Sequence, residues 1–113
     1  MAYATGGNVR TVEQAITAQN QFTAWTRLDS RRSNNGFTAA LMDDSTTLSV
    51  VWVVQARRIK SDGTTGNIGD IYTSSAASNG GMQTAQFAGV WEFRVGVKTG
   101  GYTAGTGVAS LSW

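Results

Sequence analysis

The strongest constraint on the fold is a period of two near the end of the chain. From Trp91 to Lys98 the sequence reads WEFRVGVK, where apolar side chains alternate with charged residues or glycine. This period places the apolar set on one face of a β-strand and the polar set on the other. Four glycines between residues 100 and 107 then predict a turn-rich corner. Val108–Trp113 alternates again, so we expect two antiparallel strands to close the chain.

The rest of the sequence predicts further short strands separated by turn signals. Val9–Gln19 fits both a helical stripe and an alternating pattern, and its threonines favour a strand. Six to eight strands at hairpin spacing are typical of an all-β fold. We therefore predict a single antiparallel β-sandwich or jelly-roll-like domain over residues 9–113, preceded by a short, flexible, Gly-rich N-terminal arm over residues 1–8. The other predicted strands are Phe22–Leu28, Phe37–Met42, Leu48–Lys60 (the longest), Ile68–Thr73 and Met82–Ala88.

The residue types that are missing argue against an enzyme. The chain has no histidine and no cysteine, which removes the usual general base, the thiolate nucleophile and the commonest ligands of transition metals. Five of the seven carboxylates fall in predicted turns, where aspartate bonds to the local backbone. Glu92 is expected to pair with a neighbouring arginine, and Asp43–Ser45 to form a turn rather than a calcium loop. We predict no catalytic residue, no metal and no cofactor.

Charge and hydropathy also limit the possible partners. Only 14% of the residues are charged and the net charge is +2, which is too weakly basic to indicate nucleic-acid binding. No apolar run approaches the roughly 20 residues of a membrane span, and the N-terminus lacks the features of a signal peptide. Basic residues at positions 31, 32, 57, 58 and 60 could form a phosphate patch, but a solvated face or salt bridges to a neighbouring subunit is favoured.

Three segments in order resemble a family of small β-sandwich proteins and domains encoded by tailed bacteriophages. The first is the strand Val53–Arg58 running into the polar turn Ser61–Gly66, and the second is Asp70–Ser74. The third and most specific is Trp91–Ala104, which is similar to the closing hairpin of that family almost residue for residue. The likeness covers the chain from Phe22 to its end. It departs from the family at a single Gly63 where two glycines are common, and in the absence of a tryptophan after that turn.

The resemblance implies a β-sandwich component of a virus particle, because such domains occur as capsid decoration or cement proteins and in tails and fibres, often as trimers. Leu48–Val54 is apolar on both faces, so it is either central to the sandwich or covered by another subunit. Trp113, at the chain end, either contacts a subunit or joins the core. In lattice-forming proteins, N-terminal arms often cross onto a neighbour. The candidate subunit or lattice contacts are Tyr3, Val51, Val53, Arg57, Arg58 and Trp113.

We accordingly expect a bacteriophage virion structural protein, made in the host cytoplasm, that binds the assembled head as a capsid decoration or cement protein. Its expected partners are itself, as a homotrimer, and the major capsid protein or another virion protein. Two alternatives remain open at this point. One is a tail, neck or fibre component of the same particle. The other is a carbohydrate-binding adhesion module that uses exposed members of the four tryptophans and three tyrosines to bind glycans.

Overall fold

A computed structural model describes residues 10–33, 35–75 and 78–113. The expected arm at residues 1–8, with Tyr3, lies outside these ranges. The described ranges hold no helix of the length and apolarity that crossing a membrane would require. The strands are β1 (Thr11–Ile16), β2 (Gln21–Phe22), β3 (Thr26–Asp29), β4 (Gly36–Asp43), β5 (Ser49–Arg58), β6 (Gly69–Thr73), β7 (Gly80–Gln86), β8 (Val90–Ala104) and β9 (Gly107–Ser112).

The strands form two antiparallel sheets packed face to face. Sheet A has the order β1-β9-β4-β7, and sheet B has the order β2-β8-β5-β6, with β3 also pairing along β8. If β2 and β3 are counted as one interrupted strand, each sheet has four strands and the chain changes sheet at every connection except β5 to β6. This is the strand order of a jelly roll. The predicted all-β sandwich is confirmed.

The core lies between the sheets and follows the period of two in each strand. In β4, for example, Phe37, Ala39 and Leu41 are buried while Thr38 and Ala40 point outward. An aromatic cluster fills one end, where the rings of Phe37 and Phe93 are 4.3 Å apart between centroids. The remaining buried core residues are Ile16, Leu28, Leu48, Val50, Trp52, Val54, Ala56, Val95, Val97, Ala109 and Leu111.

Two predicted strands differ from those observed. The longest strand is β8, with 15 residues, rather than the segment Leu48–Lys60, whose strand β5 has 10. Gly100 and Gly101 lie within β8 instead of ending it, and the pairing with β5 shifts register on both sides of Val50. The predicted strand Phe22–Leu28 is interrupted between β2 and β3.

The predicted pairing of the last two strands is wrong, because β8 and β9 lie in different sheets. Residues 105 and 106 carry the chain from sheet B to sheet A, and β9 pairs with β1 and β4. Gly105 has a φ of +84°, and a Cβ there would lie 2.5 Å from the Cα of Leu48. Only glycine fits this crossing without strain, so the corner is a transfer between sheets rather than a hairpin turn.

Gly96 provides a test of how β2 is seated on β8. A Cβ at Gly96 would meet the carbonyl oxygen of Gln21 and lie 2.7 Å from Cδ2 of Phe22. We expect Gly96→Ala to displace β2 and lower the free energy of unfolding by about 1–3 kcal/mol, in the range of overpacked sites. Urea unfolding measures this. Gly69→Ala is the matched control, because nothing lies within 4 Å of its Cβ position. Equal stability of the two variants would contradict the prediction.

Candidate functional site

The outward side of sheet A, called the A face below, is almost uncharged. The register aligns Thr38 between Ser112 and Thr84, and Ala40 between Ser110 and Met82. Glu13 alone among the positions of this face carries a charge. The full set is Thr11, Glu13, Ala15, Thr38, Ala40, Met42, Met82, Thr84, Gln86, Val108, Ser110 and Ser112.

Two methionines are the most prominent apolar groups of the A face. Met42 is 57% exposed and Met82 is 64% exposed. Methionine is flexible and polarizable, and it adapts to the surface that it meets. The face spans four strands, or about 14 Å at the usual strand spacing. With small hydroxyl and methyl groups around the methionines, this surface can pack closely against another protein with little desolvation of charge.

The outward side of sheet B, called the B face below, is instead rich in arginine and aromatic rings. The guanidinium carbon of Arg57 lies 4.1 Å from the ring centroid of Trp25. That of Arg94 lies 4.5 Å from the same ring and 4.0 Å from the ring of Phe22. A cation over an aromatic face contributes about 0.5–2 kcal/mol, depending on desolvation. The B face is therefore a fixed cationic and aromatic cluster.

Ion pairs engage Glu92 and Asp70 on the B face. Nε of Arg57 donates to Oε1 of Glu92 at 2.8 Å, and Nε of Arg27 lies 3.6 Å from Oε2 of the same group. The predicted pairing of Glu92 with a neighbouring arginine is confirmed. Asp70 accepts from Nζ of Lys98 at 2.7 Å and from Nε2 of Gln55 at 2.9 Å. These two hydrogen bonds hold the pKa of Asp70 below its ordinary value, and the bond from Lys98 has the larger effect. Asp70 is thus kept as a bound anion, which is the wrong state for a general acid.

Asp29 and Asp43, which end β3 and β4, and Asp62 each bond to the backbone of the loop that follows, as predicted. Oδ1 of Asp29 accepts from the backbone N–H of Arg31 at 3.0 Å, and Oδ1 of Asp43 accepts from that of Ser45 at 2.8 Å. Asp62 accepts in the same way from Thr64 at 3.0 Å. Across the described residues no group of three or more potential metal ligands occurs. These carboxylates shape turns and do not converge on a site.

The bonded aspartates predict a loss of stability in acid. Hydrogen bonds from the side chain and backbone of Arg31 lower the pKa of Asp29 from 3.8 to about 2, and hydrogen bonds to the carboxylates of Asp43, Asp62 and Asp70 also lower their pKa values. Their contribution is complete above the unfolded pKa of about 4 and is lost as the pH falls through each folded pKa. We expect the urea midpoint to be flat from pH 5 to 8 and to fall between pH 4 and 2. An unchanged midpoint at pH 2 would contradict this, and Asp29→Asn should lessen the fall.

The predicted contact residues on β5 have different environments. Val51 is partly exposed on the B face, but Val53 is 2% exposed. The prediction that Val53 contacts a partner does not fit this position, because its side chain is buried within its own chain and offers almost no surface. Arg57 is held by Glu92 and Trp25. Arg58 points to the opposite side and is exposed. Its guanidinium carbon lies 5.9 Å from the ring centroid of Trp91.

Trp113 belongs to the sandwich rather than projecting from it. Its side chain is partly buried and packs against the core. Its backbone N–H donates to the carbonyl oxygen of Arg10 at 3.0 Å, and its carbonyl oxygen accepts from the N–H of Arg10 at 2.8 Å. These bonds extend the pairing of β9 with β1 by one residue. Packing of Trp113 within its own chain is thus observed, and its contact with another subunit stays a prediction.

The open side of the sandwich between β6 and β7 holds an apolar groove of about 370 Å³. Its lining includes Ile71, which is 50% exposed, and the partly buried rings of Phe87 and Trp91. In the described part of the chain every aromatic side chain is buried or partly buried. These residues therefore offer a sugar ring only partly exposed aromatic surfaces on which to stack.

No family model matches the sequence, and no curated protein sequence matches it. Among solved structures, the chain is similar to the mitogen derived from Yersinia pseudotuberculosis, with a TM-score of 0.46 and 11% identity over 93% of this chain and 83% of the mitogen. It is also similar to a chain of the infectious bursal disease virus Gt strain, with a TM-score of 0.44 and 12% identity over 93% of this chain and 31% of the viral chain. Likenesses this remote carry no argument about function.

Proposed function

We propose that the protein is a bacteriophage virion structural protein of the decoration or cement class, which binds the outside of the assembled head. The A face is the observation that carries this proposal. It is a surface four strands wide, with one charged position and two exposed methionines, and it suits a permanent contact better than contact with water. The resemblance of Trp91–Ala104 to phage β-sandwich proteins supports the same assignment.

The action of such a protein is thermodynamic. A protein that binds only the assembled lattice stabilises it by mass action, by about 2.7 kcal/mol per site at 100 times the dissociation constant. This requires a rigid scaffold and a complementary surface, and it needs no nucleophile, acid or base. The jelly-roll order of the strands supplies the scaffold, and it is an architecture used by capsid proteins as well as by lectins. Because the fold hosts several functions, the proposal depends on the A face and not on the fold.

We further propose that the protein acts as a homotrimer, following the resemblance. The absolute mass of the purified protein, from light scattering coupled to size exclusion, would then be three times the chain mass of 11.9 kDa. A monomer in solution that becomes trimeric only on the head would be recognised by its stoichiometry on the particle. Binding at a ratio that is not a multiple of three per site would contradict the trimer.

The test of the proposed function is binding to empty mature heads that lack tails. Purified protein is added to such heads, and the bound fraction is measured by co-sedimentation over a range of protein concentrations. We expect saturable binding, together with a higher temperature of head disruption. Binding to purified tails but not to heads would instead assign the protein to a tail, neck or fibre. Absence of binding to both would overturn the virion assignment.

A further inference from the structure

Arg94 on the B face is a charged side chain held between two aromatic rings. It lies opposite Gln55 in the β5–β8 register, near the middle of sheet B, and is partly buried. Its guanidinium carbon is 4.0 Å from the ring centroid of Phe22 and 4.5 Å from that of Trp25. Two aromatic rings therefore hold the charged group in a fixed place on an outward surface.

The polar partner of Arg94 is neutral. Nε of Arg94 donates to Oε1 of Gln55 at 2.8 Å. Gln55 is 6% exposed, and its other amide atom, Nε2, donates to Asp70, which fixes the orientation of the amide. A buried glutamine that is held at both ends makes Arg94 still less free to move.

No carboxylate in the described residues lies within ion-pair distance of Arg94, although all seven carboxylates of the chain fall in those residues. The two carboxylates nearest along the face are already paired. Glu92 is paired with Arg57 and Arg27, and Asp70 is paired with Lys98. Burial, and next the charge of Arg57, lower the pKa of Arg94. A partly desolvated cation without an anionic partner is costly, and an external anion would relieve that cost.

We propose that Arg94, supported by Arg57, binds a carboxylate group supplied by an acidic side chain of another protein. The fork of N–H donors on a guanidinium matches the two oxygens of a carboxylate. Glu92 and Asp70 flank the position, and their charges oppose a doubly charged phosphate more than a singly charged carboxylate. Guanidinium groups lie against the rings of Phe22 and Trp25, which reduces the stacking surface left for the ring of an acidic sugar.

This site does not depend on the proposed function, because it lies on the sheet opposite the A face and is tested on the isolated protein. The probe is propionate, which carries the side-chain carboxylate of glutamate, and propionamide is its neutral counterpart. Propionate is titrated at constant ionic strength, and the NMR signals of the Arg94 Nε–H and the Trp25 indole N–H are followed. We expect saturable shifts of both signals in the millimolar range with propionate and none with propionamide.

Variants assign the binding to this site. Arg94→Gln should weaken propionate binding about tenfold or more, as expected for loss of a charge-assisted hydrogen bond. Arg94→Lys keeps the charge but lacks the fork, and it should also bind more weakly, which provides a second reading if the glutamine variant does not fold. Arg58→Gln, one residue along β5 from Arg57 and on the opposite side, should bind as the wild type does.

Four outcomes would overturn the proposal. They are equal shifts with propionamide, equal shifts with sodium chloride alone, unchanged propionate affinity in both Arg94 variants, and tighter binding of phosphate or galacturonate than of propionate. The last of these would show that the site is built for a phosphate group or for an acidic sugar.

Discussion

Phe93→Ala is expected to lower the free energy of unfolding by about 3–5 kcal/mol, as the truncation of a buried phenylalanine does in other cores. Phe93 is 2% exposed, and its ring lies 4.3 Å from that of Phe37 and 5.0 Å from that of Phe87, between centroids. Phe93 itself is paired on both sides, with Ala56 of β5 and Thr26 of β3, so the backbone has little freedom to close the cavity. A single-domain protein has about 5–15 kcal/mol of stability in total, so this one change removes a large part of it.

The measurement is urea unfolding followed by tryptophan fluorescence and by circular dichroism, which should report the same midpoint. Phe93→Leu is the matched control, because it retains most of the buried volume and should cost less than about 1.5 kcal/mol. If alanine and leucine at position 93 were equally stable, the aromatic cluster would not be the packing centre that the ring distances indicate.

The alternation of residues predicted which side chains face the core, because one face of each sheet is buried. In β9, Ala109 and Leu111 point inward while Val108 and Ser110 point outward, as their spacing indicated. The same pattern contains no information about which strand is the partner. The pattern therefore predicted the wrong partner for β9. The crossing at Gly105 depends on a close approach to Leu48, which lies far earlier in the chain.

The B face shows why part of the site could not be predicted. Strict alternation along the predicted strand Phe22–Leu28 would put Phe22 and Trp25 on opposite faces, because they are three residues apart. The interruption between β2 and β3 instead brings both rings to the guanidinium of Arg94. By contrast, the pairing of Glu92 with an arginine was predictable, since both lie on the polar face of adjacent strands.

The two outward faces of the sandwich differ in the chemistry that they can offer. The A face has hydroxyl, methyl and thioether groups, which gain from contact over an area but have little direction. The B face has fixed guanidinium groups, which bind few atoms but bind them with defined geometry. A protein that packs against a lattice with its A face would therefore leave its B face free for a second and more selective contact.

Two substitutions on the A face are expected to abolish head binding without unfolding the protein. Met42 and Met82 are 57% and 64% exposed, so glutamate at either position stays hydrated in the free protein and should change its stability by less than about 0.5 kcal/mol. In a closed contact the same carboxylate would be desolvated without a partner, at a cost of about 3 kcal/mol or more, or on the order of a hundredfold in affinity. The double variant Met42→Glu, Met82→Glu should therefore show no saturable binding to tailless heads in the co-sedimentation assay.

The matched control for the A face is Ile68→Glu. Ile68 is an apolar residue of comparable exposure, at 49%, and it lies just before β6 of the other sheet. It introduces the same charge as either single variant, Met42→Glu or Met82→Glu, so comparison with each of these separates a local effect at the A face from general repulsion between the protein and the head. We expect Ile68→Glu to bind heads as the wild type does. If the double methionine variant also bound normally, or if all three positions weakened binding equally, the A face would not be the surface that meets the lattice.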